Sequence, residues 1–145
     1  MACEIFCDIP AALKSVWCED EALSYGIQAC GSTETSFFDE GISISDAPLP
    51  YVVLQQGTPL EPRRLGTDAV LDTRPYILKI YGTSRRFLNE MSRAAREAYT
   101  STGCIDTEEG SVCSIRFSAA NHVLFADGTR VNIHRLNLMV IDKLN

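Results

Sequence analysis

The 145-residue chain has two histidines, one tryptophan and no Cys-x-x-Cys pair. Each shortage removes a class of function. A zinc centre needs closely spaced cysteines or neighbouring histidines, and Cys3, Cys7, Cys18, Cys30, Cys104 and Cys113 offer neither. No apolar run approaches the roughly twenty residues of a membrane helix. Glu4, Asp8, Glu19, Asp20 and Glu21 rule against a secretory signal at the start. The expectation is a protein with no membrane partner that stays in the cytoplasm unless carried out in an assembly, its six cysteines reduced and semi-buried. Glycine-rich nucleotide loops, the serine nucleophile elbow and the His-Glu-x-x-His helix are absent as well. No catalytic residue, cofactor or metal is therefore assigned. A Cys113 thiol paired with His122 or His134 defines the alternative of a small cytoplasmic thiol enzyme, but no oxyanion site or orienting group is recognisable beside it.

What is present describes one globular domain over residues 1–145. The apolar fraction of 46% is that of a chain able to bury a core, which excludes general disorder. A net charge of −6 argues against non-specific nucleic-acid binding, yet the charge is unevenly spread. Residues 1–62 hold ten acids and one base, residues 63–96 three acids and eight bases, and the remainder six acids and four bases. Such a dipolar chain suits head-to-tail contact between copies as well as it suits solvated faces.

The chain is organised around residues 47–81. Pro50 keeps Leu49 extended and leads into a strand at Tyr51-Val52-Val53-Leu54, while Pro75 precedes a second strand, Tyr76 to Tyr81. Alternation places Tyr76, Leu78 and Ile80 on one face and Ile77, Lys79 and Tyr81 on the other. Between the strands, residues 55–73 read as an exposed irregular arm carrying Arg63 and Arg64.

Before this unit, Asp8 caps a helix with Pro10 in its first turn and Leu13, Val16, Trp17 and Leu23 near one face. The Glu19-Asp20-Glu21 run interrupts that stripe. A polar turn at 31–35, a short strand at Phe37-Phe38 and an edge strand at Ile42 and Ile44 follow. After the unit comes the clearest helix, Arg85 to about Ser101, closed by Gly103. Phe87, Leu88, Met91, Ala94, Ala95, Ala98 and Tyr99 fill its apolar face, with Arg86, Asn89, Arg93 and Arg96 opposite and Arg85 at the border. Val112 to Phe117, Val123 to Phe125 and Arg130 towards Asp142 are strands. A two-residue Asp127-Gly128 loop pairs Leu124 with Val131 and His122 with Ile133, so His122 and His134 point apart. Apolar residues at 131 and 133, then at 136, 138 and 140, change phase and imply a bulge near His134-Arg135.

The sum is an α+β domain with two main helices on a largely antiparallel sheet. Ala47-Pro48-Leu49-Pro50-Tyr51-Val52-Val53-Leu54, the polar loop, Arg74-Pro75-Tyr76-Ile77-Leu78-Lys79-Ile80-Tyr81 and the arginine- and alanine-rich helix behind it resemble the tail-terminator (tail-completion) family of tailed bacteriophages over roughly residues 10–142. The resemblance implies a non-enzymatic virion protein, assembled in the host cytoplasm into a six-fold homo-oligomeric ring. Such a ring ends polymerisation of the tail tube protein and presents its other face to head-closure or connector proteins, with DNA only passing through the lumen. A head-closure or connector protein of the neck is the nearest alternative. Arg63, Arg64, Arg85, Arg86, Arg93 and Arg96 are the candidate subunit or partner contacts, and the 55–73 arm is expected to reach an adjacent subunit or the tube.

Overall fold

The computed structural model describes residues 6, 8–27, 37–39, 49–57, 63–65 and 69–143; the polar turn at 31–35, the edge strand at Ile42 and Ile44, and residues 58–62 and 66–68 of the arm lie outside them. Among the described residues, three helices and eight strands form one α+β unit with a mostly antiparallel sheet. In chain order these are α1 (Ile9–Glu19), α2 (Glu21–Gly26), β1 (Phe37–Asp39), β2 (Tyr51–Gln56), β3 (Arg63–Leu65), β4 (Ala69–Gly82), α3 (Arg85–Thr100), β5 (Ile105–Thr107), β6 (Gly110–Phe117), β7 (Asn121–Leu124) and β8 (Arg130–Lys143). The sheet runs β1-β2-β4-β8-β6-β5, with β3 beside β4 and β7 beside β8. Only β1 and β2 pair in parallel among these strands.

Local chemistry sets the helices. Asp8 accepts a hydrogen bond from the Ala11 amide at 2.8 Å and Pro10 occupies the first turn, so α1 starts where capping chemistry predicts. The acidic run does end it. Asp20 is extended, closes α1 and accepts from the Leu23 amide at 3.0 Å, thereby capping α2. Two buried polar tips then fasten the helical layer: Trp17 Nε1 donates to the Ile27 carbonyl at 3.0 Å and the Tyr99 hydroxyl to the Leu13 carbonyl at 2.8 Å. On α3, capped by Ser84, the apolar stripe faces the sheet as the periodicity requires, with Leu88, Met91, Ala95 and Tyr99 buried and Phe87, Ala94 and Ala98 packed at its margin.

The sheet is built on β4 and β8, paired without interruption from Ala69↔Lys143 to Gly82↔Arg130. Two expectations change here. The strand after the arm begins at Ala69 rather than Tyr76, and Arg63–Leu65, expected to be irregular, is a strand paired with it. Hydrogen-bonding partners on both sides override the weak alternation of Ala69 to Arg74. Pro75 is tolerated inside β4 because its carbonyl side, which accepts from Gly57 at 2.8 Å, faces the end of β2; the proline's missing N–H therefore costs no bond to β8.

The expected bulge in the last strand is also absent. Along β8 the positions facing the helices are Asn132, His134, Leu136, Leu138 and Val140, every one of them buried. The apparent change of phase arises because the first two inward positions are polar. The register shift lies instead in β6, between Val112 and Ser114, with Cys113 as the extra residue. At the β5–β6 turn Gly110 has φ 134°, and an added Cβ would sit 2.8 Å from Val140 and 3.0 Å from the Ile141 carbonyl, so any other residue there displaces β8.

Candidate functional site: a buried polar relay and three exposed faces

Asp127-Gly128 does form a hairpin, but one residue out of the expected register. Gly128, at φ 91°, is the last residue of a turn closed by its amide on the Phe125 carbonyl at 3.1 Å, and Phe125 takes a bond from its own amide to Thr129 at 2.8 Å. Asp127 keeps a negative φ and accepts from the Thr129 amide at 2.9 Å, so the connection is a three-residue loop and not the two-residue one, which would force Asp127 to positive φ. His122 therefore lies opposite Asn132, and Leu124 opposite Arg130. A slip of one residue turns every side chain over. His122 and His134 thus share the helix-facing side instead of pointing apart.

They are joined by one chain of hydrogen bonds. Arg130 donates to His122 Nε2 at 3.1 Å; His122 Nδ1 meets Asn132 Oδ1 at 2.7 Å; Asn132 Nδ2 donates to Ser92 Oγ at 2.9 Å and to Asn89 at 3.3 Å. Ser92 Oγ meets His134 Nε2 at 2.7 Å, and His134 Nδ1 meets the Ser118 carbonyl at 3.0 Å. The termini fix the direction. A guanidinium only donates and a carbonyl only accepts, so both imidazoles carry their hydrogen on Nδ1 and every bond in the relay points from Arg130 towards Ser118. Asn132 is fully buried, His134 is 3% exposed, and the His134 ring lies 4.5 Å from that of Phe117.

Burial holds the His134 pKa below the ordinary value, and the Arg96 charge acts in the same direction against the Ser118 carbonyl. The unfolded chain therefore binds the proton first. Stability contributed by neutral His134 is complete above about pH 6.5 and falls as the pH drops from there towards the lowered folded-state value. Urea titrations from about pH 8 to about pH 5 should show this loss in the parent protein and less of it in His134→Asn; equal slopes would assign the pH dependence to other groups.

The relay does not bring Cys113 to either histidine. Val112, the neighbour of Cys113, pairs with Val140, six positions along β8 from His134, which separates thiol and imidazole by roughly 20 Å. The suggested Cys113 pairing with His134 is not formed, and His122 lies further along the same direction. Among the described cysteines, Cys104 and Cys113 are free, as expected of reduced thiols, whereas Cys18 departs from expectation in being disulfide-bonded. Cysteine spacing in the sequence carries no trace of that proximity.

Three surfaces remain. On α3, Arg85, Arg86, Arg93 and Arg96 are all exposed, with Arg86 paired to Glu90 at 3.3 Å. Arg63 and Arg64 are elsewhere, in β3 at the far end of β4. The arginines of the sequence reading therefore form two groups. A second surface, unassigned from sequence, is the sheet face away from the helices, where Lys79, Arg135 and Arg116 lie diagonally across β4, β8 and β6. Pro75, Ile77, Asn137 and Met139 line a groove of about 780 Å³ there with two of these cations. No acidic side chain of β2, β4, β6, β7 or β8 shares that face among the described residues. The alternation of β8, with Asn132 and His134 taken as inward, is the signal that locates it. The third surface is the β7 hairpin, where Val123, Leu124 and Phe125 are 39%, 56% and 45% exposed.

No protein family and no curated protein matches the sequence. A solved structure does. The chain resembles a protein in the virion of a native gene transfer agent particle, with a TM-score of 0.68 over 92% of this chain and 95% of that one, at 12% identity. At that identity the fold is what is shared.

Proposed function

We propose that the protein is a structural component of a phage-like virion, assembling with other structural proteins, and that within it the chain acts as a tail terminator. Its copies form a ring, six-fold in this reading, that caps the tail tube and receives the head-closure proteins. The observation that carries the reading is the end-to-end match of fold to a gene transfer agent virion protein, with both chains covered almost completely. The resemblance of Ala47 to Tyr81 to tail terminators points the same way independently. A ring requires one heterologous contact repeated until it closes, and the chain offers surfaces of different chemistry for it: the cationic α3 face, the apolar hairpin and the acidic first third of the chain. The cationic sheet face suits a lumen through which DNA passes, because its three bases attract a polyanion without gripping it.

The test is the mass of the purified protein across a concentration range, with electron micrographs of the protein alone and mixed with tube protein. Rings on tube ends are expected. A monomer that ignores tubes overturns the proposal, and a ring that binds head-closure protein but not tubes makes it a connector. Reversal of Arg93 and Arg96 to glutamate should raise the concentration at which rings form by roughly tenfold or more, as like charges replace complementary ones. Unchanged assembly would return that face to solvent.

A further inference from the structure

Cys104 immediately follows the turn after α3, and Cys113 is the extra residue of the β6 bulge. Ile105↔Val112 is the last pair of the β5–β6 ladder, and the same register carried one residue further sets Cys104 opposite Cys113. That spacing, about 4.5 to 5.5 Å between Cα atoms, lies within the range a disulfide spans. The Cys113 thiol donates to the Ser111 carbonyl at 3.6 Å, and Cys104 lies near enough to act on its charge. Both are free, and their accessibility differs: Cys104 is exposed, and Cys113 is half-buried.

We propose that Cys104 and Cys113 form a redox-active dithiol that exchanges with small disulfides, closing to an internal disulfide outside a reducing cytosol. Exposed Cys104, as thiolate, attacks one sulfur of a glutathione-type disulfide and releases one small thiol. Cys113 then gives up its proton and attacks the Cys104 sulfur of the mixed disulfide, releasing the second. The protein loses two hydrogens and two electrons, and the small disulfide becomes two thiols. Burial, the neighbouring Cys104 thiol and Asp106 push the Cys113 thiol up, against a bond from Ile141, so Cys113 stays protonated until Cys104 has reacted and serves as the resolving partner. Closure pins the segment after α3 to β6, at the rim of a groove whose walls include Val16, Glu19 and Thr102. The proposal is independent of the virion reading. The chain already holds one disulfide, at Cys18.

Tryptic cleavage reads the outcome directly, because residues 97–116 hold both thiols on one peptide with no internal cleavage site. The folded full-length protein would be incubated with graded mixtures of reduced and oxidised glutathione, quenched in acid, alkylated and digested. The expected product is a 97–116 peptide lighter by two hydrogens and carrying no alkyl group, and Cys113→Ser should instead accumulate glutathione on Cys104. Phenylarsine oxide, which bridges two close thiols, should protect both from alkylation in the parent protein and leave Cys104 of the variant reactive. Recovery of glutathione on Cys104 of the parent protein with Cys113 still alkylatable, or of both thiols alkylated throughout, would overturn the proposal.

Discussion

Asn132→Ala is expected to lower the unfolding free energy by about 3 kcal/mol, among the larger single effects available in this chain. The amide is fully buried and holds three partners: the His122 ring, Ser92 and Asn89. Exposed Asn89 recovers its bond from water. The His122 Nδ1–H and the inward side of Ser92 do not, and each buried polar group left unpaired costs roughly 1 to 3 kcal/mol. The cost should depend on the stranded partners and not on the lost amide itself. Replacing Ser92 by Ala, Asn132 by Val and His134 by Leu together removes most of those partners at once, and should cost less than Asn132→Ala alone. Urea denaturation of the parent protein, Asn132→Ala and the triple variant decides it. If the triple variant is the less stable, the relay contributes net stability through cooperative bonding, and the argument from stranded groups fails.

The same relay marks the boundary of what the sequence could reveal. Where apolarity and inward direction coincide, pattern reading works: the stripe from Leu88 to Tyr99 on α3 and the faces of Tyr76 to Ile80 stand as periodicity requires. It fails where an inward position is polar. Asn132 and His134 occupy core positions of β8, and reading them as outward turned a regular strand into a bulged one. The hairpin error has the same scale, because Asp127-Gly128 signals a turn without fixing which residue takes positive φ. Long-range pairing hid the rest: β4 begins seven residues early because β3 and β8 flank it. The cationic line of Lys79, Arg135 and Arg116 needs three strands in register before it exists at all. The exposed arginines of α3 were legible from helical period alone, but Arg63 and Arg64 do not share their surface.

Leu124→Asp with Phe125→Asp is expected to abolish assembly while leaving the monomer folded. Five large apolar side chains are exposed among the described residues, and three of them, Val123, Leu124 and Phe125, are consecutive. They sit on an edge strand: β7 pairs with β8 and with no other described strand. The run from Asn121 to Phe125 carries no formal acid, lysine, arginine or proline of the kind that blunts an edge. An edge of this kind accepts a neighbour's strand through its backbone and the neighbour's apolar side chains through its pockets. Exposed positions tolerate aspartate within about 0.5 kcal/mol, so thermal unfolding should barely move. An apolar contact that buries a carboxylate loses several kcal/mol, roughly a hundredfold or more in affinity per interface, and a ring repeats that loss at every junction. Sedimentation of the variant should therefore give monomer at concentrations where the proposed rings of the parent protein form. Rings at the parent concentration would remove the hairpin from the contact and leave the arginine face of α3 as the surface to test by charge reversal.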